Sequence, residues 1–128
     1  MEIVCDTSFM MVLGSIPFRN IENIESDLGS LHFSVPSIVA DELIQLESHC
    51  GPKRSRMATA ALSLIGSRFK LISLPRSRHA DEAIVKYSSS HNCAVATIDR
   101  ELKNVLVKNK VLVLTLKDNK LIIGNRRY

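Results

Sequence analysis

Short apolar runs alternate with amphipathic segments along the 128 residues of the chain. The runs at residues 2–6, 31–35, 70–74, 94–97 and 111–116 have the length and apolar character of buried strands, and the first of them ends on an acid. Apolar residues recur at spacings of three and four over residues 21–28, 37–47, 57–65, 80–89 and 100–108, which predicts helices. This alternation predicts an α/β protein, a three-layer α/β/α sandwich with a mainly parallel central sheet.

Two segments interrupt the alternation. Residues 49–56 contain a Gly-Pro pair followed by three bases, a composition that is typical of a linker. Residues 118–119, Asp-Asn, predict a turn, after which residues 121–128 can add an edge strand. The sequence has no internal repeat, and its length suits a single domain over residues 1–128.

The composition is that of an ordinary globular protein. With 45% hydrophobic and 23% charged residues, the chain is neither disordered nor collagen-like. Its three cysteines form no C-x-x-C pair, so we expect reduced thiols, and a zinc site built from His49, Cys50, His91 and Cys93 is disfavoured because adjacent residues rarely point at one ion. The longest apolar stretch, residues 9–18, is about half the ~20 residues that span a bilayer, and no basic segment precedes it. We therefore expect a cytoplasmic protein that does not contact membranes.

The net charge of +4 combines two halves of opposite sign. Residues 1–50 hold one base against eight acids (−7), whereas residues 51–128 hold sixteen bases against five acids (+11). A basic half of this size favours a polyanionic partner such as nucleic acid, because neutralising phosphates releases condensed counterions. A solvated basic surface explains the composition equally well.

Two acids lie at the predicted ligand-binding edge of the sheet. Asp6 and Asp99 each follow an apolar run directly and precede a helical segment. Parallel α/β sheets bind ligands at this carboxyl edge. Either residue alone is also well explained as a helix N-cap, since its carboxylate accepts bonds from free backbone N–H groups.

Two further acids fall on predicted helices. Glu42 shares an apolar stripe with Val39, Leu43 and Leu46, so its carboxylate is predicted to face inward, whereas Asp41 falls on another face. Asp81 begins the helix at residues 80–89 on its buried side, where the helix dipole also favours an anion, and Glu82 points elsewhere. The four acids can reach one edge, and their mutual repulsion favours a divalent cation. An all-oxygen site suits Mg²⁺ or Mn²⁺ better than zinc.

Four segments in order match a known family: IVCDTS ending at Ser8, VPSIVADEL ending at Leu43, ADEAI ending at Ile84 and VATIDRELK ending at Lys103. Over nearly its full length the chain resembles PIN-domain endoribonucleases. By position, the family's catalytic and metal-binding acids fall on Asp6, Glu42, Asp81 and Asp99. Ser8 matches a small polar position near the first acid, and Thr97 matches the hydroxyl before the last. The resemblance implies hydrolysis of RNA phosphodiester bonds with Mg²⁺ or Mn²⁺.

The last segment, with His91 and Cys93 before it, resembles archaeal and eukaryotic ribosomal-RNA-processing PIN proteins more than typical VapC toxins. Compact single PIN domains are also what VapC toxins look like. RNA is therefore the expected partner. A homodimer, an antitoxin and a ribosome-assembly partner stay open as protein partners.

Seven bases are candidates for holding RNA phosphates: Lys53, Arg54, Arg56, Arg76, Arg78, Arg100 and Lys103. Two Tyr and four Phe offer few stacking platforms, so strong intrinsic sequence specificity is not expected.

Three other functions compete with the nuclease. A haloacid-dehalogenase-type phosphatase needs a second Asp two residues after the first, and position 8 is Ser. A phosphoacceptor receiver domain needs paired acids at the end of its first strand, where Val4 and Cys5 precede a single Asp6. A catalytically silent PIN fold that binds RNA or organises an assembly is the serious alternative. Its mark would be the loss of a quartet acid, and none is lost.

Overall fold

A six-stranded sheet organises the chain in a computed structural model that describes residues 1–14, 19–75 and 77–125. The strands are β1 Glu2–Cys5, β2 His32–Pro36, β3 Lys70–Ile72, β4 Cys93–Ala96, β5 Leu112–Lys117 and β6 Lys120–Ile123. Their spatial order is β3-β2-β1-β4-β5-β6, with β1 to β5 parallel and β6 antiparallel to β5. The predicted α/β class with a mainly parallel sheet is confirmed.

Helices flank this sheet. They are α1 Thr7–Leu13, α2 Ile21–Leu28, α3 Ser37–His49, α4 Pro52–Leu64, α5 Ala80–Ser90 and α6 Arg100–Lys108. Helices α1, α3 and α4 pack against one another, whereas α5 and α6 pack together and contact β4 and β5 respectively. Because crossovers are right-handed and the chain moves in opposite directions from β2 to β3 and from β4 to β5, these two groups cover opposite faces. Within the described ranges no helix is long and apolar enough to cross a membrane.

The start of α4 corrects the predicted linker at residues 49–56. The helix begins at Pro52, with Gly51 as its N-cap, so Lys53, Arg54 and Arg56 are helical. Proline suits the first turn of a helix because its missing N–H would have no intrahelical acceptor there. The structure also contains helix α1, which the apolar spacing along the sequence did not predict.

A tight hairpin joins the last two strands. Asp118 and Asn119 have φ values of 52° and 62°, the left-handed pair that a two-residue type I′ turn requires. The turn predicted at these two residues is therefore present. The edge strand begins at Lys120, one residue before the predicted start, and the last three residues of the predicted strand lie outside the described ranges.

The buried centre of the sheet is the pair β1 and β4. Residues 3–5 and 94–96 have no solvent exposure. The chain leaves β1 towards β2 on one side and leaves β4 towards β5 on the other, so the carboxyl ends of this pair form the switch point where α/β sheets bind ligands. Asp6 and Thr97 directly follow these two strands.

Candidate active site

Strand register brings the first acid beside the segment that carries the last. Cys5 of β1 pairs with Ala96 of β4, and the backbone N–H of Asp6 donates to the Ala96 carbonyl at 3.1 Å. The next residues along the two strands are therefore neighbours. Thr97 Oγ1 donates to Asp6 Oδ2 at 2.5 Å, although the two residues are 91 positions apart in sequence.

Asp6 is almost completely buried and is held by hydrogen-bond donors. Its Oδ1 accepts from the Phe9 N–H at 2.8 Å, which caps α1, and Ser8 Oγ lies 2.9 Å and 3.0 Å from its two oxygens. Burial raises the pKa of Asp6 from 3.8 to about 6, a shift that these hydrogen bonds oppose and the nearby Asp81 charge increases. The ionised carboxylate is thus held in one orientation, but its hydrogen bonds do not fully offset the cost of burying its charge.

Thr97 and Ser8 connect Asp6 to the loop before α6. Thr97 Oγ1 accepts from the Asp99 N–H at 3.0 Å, and Ser8 Oγ accepts from the Ile98 N–H at 3.3 Å. Asp99 itself caps α6, because its Oδ1 accepts from Glu101 N–H at 2.9 Å and Leu102 N–H at 3.3 Å. The two hydroxyls therefore set the position of the loop that presents Asp99.

Glu42 reaches the site from α3 by way of Thr7. Thr7 Oγ1 donates to Glu42 Oε1 in a short hydrogen bond. Glu42 is half-buried and follows the buried Val39 on the same helix face, whereas Asp41 is exposed. The structure thus places these two neighbouring acids as the apolar stripe predicted.

Asp81 lies in the first turn of α5 and its side chain is exposed. Its pKa is raised, first by partial burial and then by the charges of Asp99 and Glu42, while His79 acts in the opposite direction. The charges of Glu42 on α3 and of Asp99 before α6 thus both act on the carboxylate of Asp81. Its neighbour Glu82 is exposed as well. Asp81 and Glu82 therefore do not differ in exposure, whereas Glu42 is half-buried and Asp41 is exposed.

A cavity of about 570 Å³ opens at this edge of the sheet. Its polar lining comes from Asp6, Thr7, Ser8, Asp81 and Asp99, and its apolar lining from Met11, Val12, Leu46, Met57 and Ile98. Glu42 does not line the cavity. It accepts a hydrogen bond from Thr7, which does, and its charge helps to raise the pKa of Asp81. Three of the four predicted acids therefore face one cavity.

Two of the predicted RNA-binding bases also line this cavity, Lys53 and Arg54 in the first turn of α4. The exposed Arg56, Arg78 and Arg100 are outside the lining. Lys103 points elsewhere, since a β-carbon placed on Gly124 would stand 3.4 Å from Lys103 Cε. The predicted base Arg76 lies outside the described residues.

The donor chemistry of the site fits a hard divalent cation. The acids offer only oxygen ligands, and the Asp6 carboxylate accepts from two hydroxyls and one backbone N–H group. Over the described part of the chain, however, no three His, Cys, Asp or Glu side chains already stand as a metal-ligand group. Because Mg²⁺ keeps several of its own waters, one or two of these carboxylates could hold it with water completing the coordination.

A family profile described as "PIN like domain" matches residues 3–119, a span from the first strand to the final hairpin that includes all four acids. The chain belongs to the PIN-like domain family. The predicted family resemblance is thereby confirmed.

Solved structures share the fold of this PIN-like domain. The structure of the PIN domain endonuclease Utp24 aligns with a TM-score of 0.73 at 21% identity, over 98% of this chain and 92% of that one. VapBC2 from Rickettsia felis, solved bound to a DNA fragment from its promoter, aligns with a TM-score of 0.64 at 17% identity, over 91% and 100%.

A domain of a functionally unknown protein from Methanocaldococcus jannaschii aligns with a TM-score of 0.62 at 17% identity, over 99% of this chain and 95% of that one. No curated protein matches the sequence.

The apolar lining of the PIN-like cavity is what sequence reasoning missed. Met11 and Met57 resemble ordinary core positions, and only their placement across the α1–α4 contact makes them cavity walls. Ile98 carried a usable signal, because it is an apolar residue that lies between the predicted end of a strand at Thr97 and the candidate site residue Asp99.

Proposed function

We propose that this PIN-like domain is a divalent-metal-dependent endoribonuclease that hydrolyses RNA phosphodiester bonds. The observation that supports it most strongly is the shared cavity, in which Asp6, Asp81 and Asp99 face the same space as Lys53 and Arg54. Carboxylates alone would repel a phosphate, and bases alone would serve simple binding. Their combination suits a site that admits a polyanion and acts on it.

The side chains have distinct roles in this proposal. Ser8 and Thr97 hold the Asp6 carboxylate in one orientation, Thr7 does the same for Glu42, and the backbone cap fixes Asp99. Lys53 and Arg54 hold phosphates next to the scissile one. Bound Mg²⁺ or Mn²⁺ would activate water and stabilise the charge that gathers on the phosphate and the leaving oxygen.

Ribosomal RNA processing is the role we favour, because the segment around Asp99 resembles that branch of the family. A ribosome-assembly partner then accompanies the RNA. A VapC-type toxin with an antitoxin is the alternative role, and the likeness to VapBC2 extends to the fold alone. Cytoplasmic location and homodimer formation belong to the same proposal.

The test is cleavage of structured and single-stranded RNA by the purified protein with Mg²⁺, Mn²⁺ or EDTA. We expect cleavage with either metal, none with EDTA, and a loss of orders of magnitude in Asp99→Asn. Asn is as good an N-cap as Asp, so the fold should survive. Asp118→Asn, in the exposed hairpin turn, is the matched control and should retain full activity.

Metal-independent cleavage, or unchanged cleavage by Asp99→Asn, would contradict the proposed site. Binding of RNA without cleavage under any condition would instead support the catalytically silent module.

A further inference from the structure

An open groove lies between α5 and α6, on the face of the sheet opposite to α4. This α5–α6 groove has a volume of about 460 Å³, and its lining comes from residues 81–86 of α5 and 101–105 of α6. Asp81 also lines the active-site cavity, whereas the other residues that line the groove do not. The groove is therefore a second surface feature, away from the bases Lys53 and Arg54 on α4.

Three apolar side chains line the α5–α6 groove, Val85 from α5 and Leu102 and Val105 from α6. Val105 is 45% exposed, although Leu102 and Leu106 already give α6 a buried side. Valine is a weaker helix former than most unbranched residues, because its branched side chain loses rotamer freedom in a helix. Neither core packing nor helix propensity explains Val105, and its place in a groove with two other apolar side chains favours contact with a partner.

Acids outnumber bases in the α5–α6 groove. Asp81, Glu82 and Glu101 are exposed, and Lys86 is the one base among the described residues that line it, so three acids against one base give the lining a charge of −2. The chain as a whole carries +4. This local negative charge repels RNA phosphates, so the groove does not continue the proposed RNA-binding surface. It also disfavours a twofold dimer through this groove, which would bring two equal sets of acids together.

The residues that line the groove are spaced by three and four on both helices. Glu82 precedes Val85 by three residues and Lys86 by four, and Glu101 precedes Val105 by four, so acidic and apolar side chains share one side of each helix. Two neighbouring helices with apolar side chains between them can accept a third helix, whose own apolar residues recur at the same spacings. Bases beside its apolar stripe would then meet the acids.

We propose that the α5–α6 groove binds a basic amphipathic helix of a partner protein. The apolar residues of that helix contact Val85, Leu102 and Val105, and its Lys or Arg side chains pair with the exposed Glu82 and Glu101. Pairs between exposed charges contribute little to affinity, so the apolar contacts provide most of it and the acids select a basic partner over an acidic one. The interaction does not depend on the proposed nuclease activity.

Three designed peptides test this proposal by fluorescence anisotropy with the purified protein. The basic peptide has leucines at helical spacings of three and four and lysines on its other face. The acidic peptide has glutamates in place of the lysines. The scrambled peptide has the composition of the basic one but no apolar face. The comparison of the three therefore measures the contributions of charge and of the apolar stripe.

Two pairs of variants locate the binding surface. Val105→Ser is compared with Ile44→Ser, because Ile44 on α3 is 46% exposed and lies outside the groove. Glu101→Gln is compared with Glu22→Gln, because both residues are exposed acids in the first turn of a helix and only Glu101 lines the groove. All four positions are on the surface, so the fold should survive each change.

We expect the basic peptide to bind more tightly than the other two. Val105→Ser should weaken its binding about fivefold at low and at high salt, because an apolar contact is lost. Glu101→Gln should weaken it about threefold at low salt and less at high salt, because salt screens pairs between exposed charges. Ile44→Ser and Glu22→Gln should leave the affinity unchanged.

The proposal is overturned if the three peptides bind alike, if none of them binds, or if the control variants weaken binding as much as the groove variants do. Two further measurements address other occupants. A dimer in sedimentation velocity that Val105→Ser abolishes would overturn the proposal in favour of a second copy of the chain. RNA binding in EDTA that Val105→Ser weakens would overturn it in favour of RNA.

Discussion

Asp6 combines a structural role with an electrostatic cost. Its carboxylate caps α1 and accepts bonds from Ser8 and Thr97, yet it is buried near Asp81 and its pKa is raised to about 6. The capping and catalytic interpretations are therefore compatible. A residue chosen only for capping would not need to lie beside another carboxylate.

Because the buried charge of Asp6 destabilises the folded state, we expect Asp6→Asn to be more stable than wild type in metal-free protein, by an amount that depends on pH. The pKa of Asp6 rises from 3.8 to about 6 on folding, so the folded state keeps its proton longer and wild-type stability declines as the pH rises between these values. Asn cannot ionise, and its carbonyl oxygen can still cap α1. The advantage of the variant should grow from near zero at pH 4 to at most about 3 kcal/mol at pH 7.

Urea unfolding in EDTA across this pH range measures the effect. The exposed Asp118→Asn should follow the wild-type profile. A difference between Asp6→Asn and wild type that does not change with pH would show that the ionised carboxylate is not destabilising.

A second prediction at this scale compares neighbouring acids on α3. Glu42→Gln should weaken Mn²⁺ binding more than Asp41→Asn, because only Glu42 is half-buried and bonded to Thr7 beside the cavity. Calorimetric titration with Mn²⁺ decides the matter. Equal losses, or the larger loss at Asp41, would remove Glu42 from the proposed metal site.

Among the elements, α1 and α4 pack against each other, and both line the cavity. Both helices contribute to its lining, α1 through Met11 and α4 through Lys53, Arg54 and Met57. The sequence did not indicate this contact. The first turn of α4 is exposed and basic, so no apolar period marks it, and the Gly51-Pro52 pair that resembles a linker instead caps and begins the helix.

Gly14 makes this close contact possible. A β-carbon there would stand 2.2 Å from the Met57 carbonyl oxygen, so the backbones would have to separate. Gly14→Ala should therefore destabilise the protein by about 1–3 kcal/mol, as overpacking does, and weaken RNA binding through the displaced α4.

Gly51→Ala is the control for this change, because nothing lies within 4 Å of its added carbon and its φ is −62°. Its effect should stay within about 0.5 kcal/mol, since reduced chain entropy offsets a weaker cap. Denaturant unfolding of both variants gives the comparison. Equal stabilities would mean that α1 and α4 can separate freely.

At the scale of the whole molecule, the sequence predicted topology better than surface placement. Alternating strands and helices determine a parallel sheet, and a parallel sheet has one carboxyl edge, which is why Asp6 and Asp99 could be placed together from periodicity alone. The placement of the basic side chains could not be predicted in this way. Arg100 and Lys103 are close to Asp99 in sequence but do not line the cavity, whereas Lys53 and Arg54, distant from every acid of the site in sequence, do so because of helix packing.

The difference between bases that line the cavity and bases that do not also predicts how RNA binding depends on salt. Arg54 lies in the first turn of α4, and Arg68 lies in the turn four residues after the helix ends at Leu64. Both side chains are exposed, but only Arg54 lines the cavity. A phosphate held by Arg54 releases condensed counterions when it binds. Arg54→Gln should therefore reduce the slope of log affinity against log salt by about 0.7 for single-stranded RNA, whereas Arg68→Gln should not change it.

Phosphate contacts carry no sequence information, so Arg54→Gln should weaken RNAs of different sequence to the same extent. Filter binding at several salt concentrations, with two unrelated single-stranded RNAs, measures both properties. If the two variants change the slope equally, the basic half of the chain acts as a diffuse positive surface. If Arg54→Gln changes the preference between the two RNAs and leaves the slope unchanged, Arg54 contacts a base, and the phosphate contacts must come from bases outside the cavity.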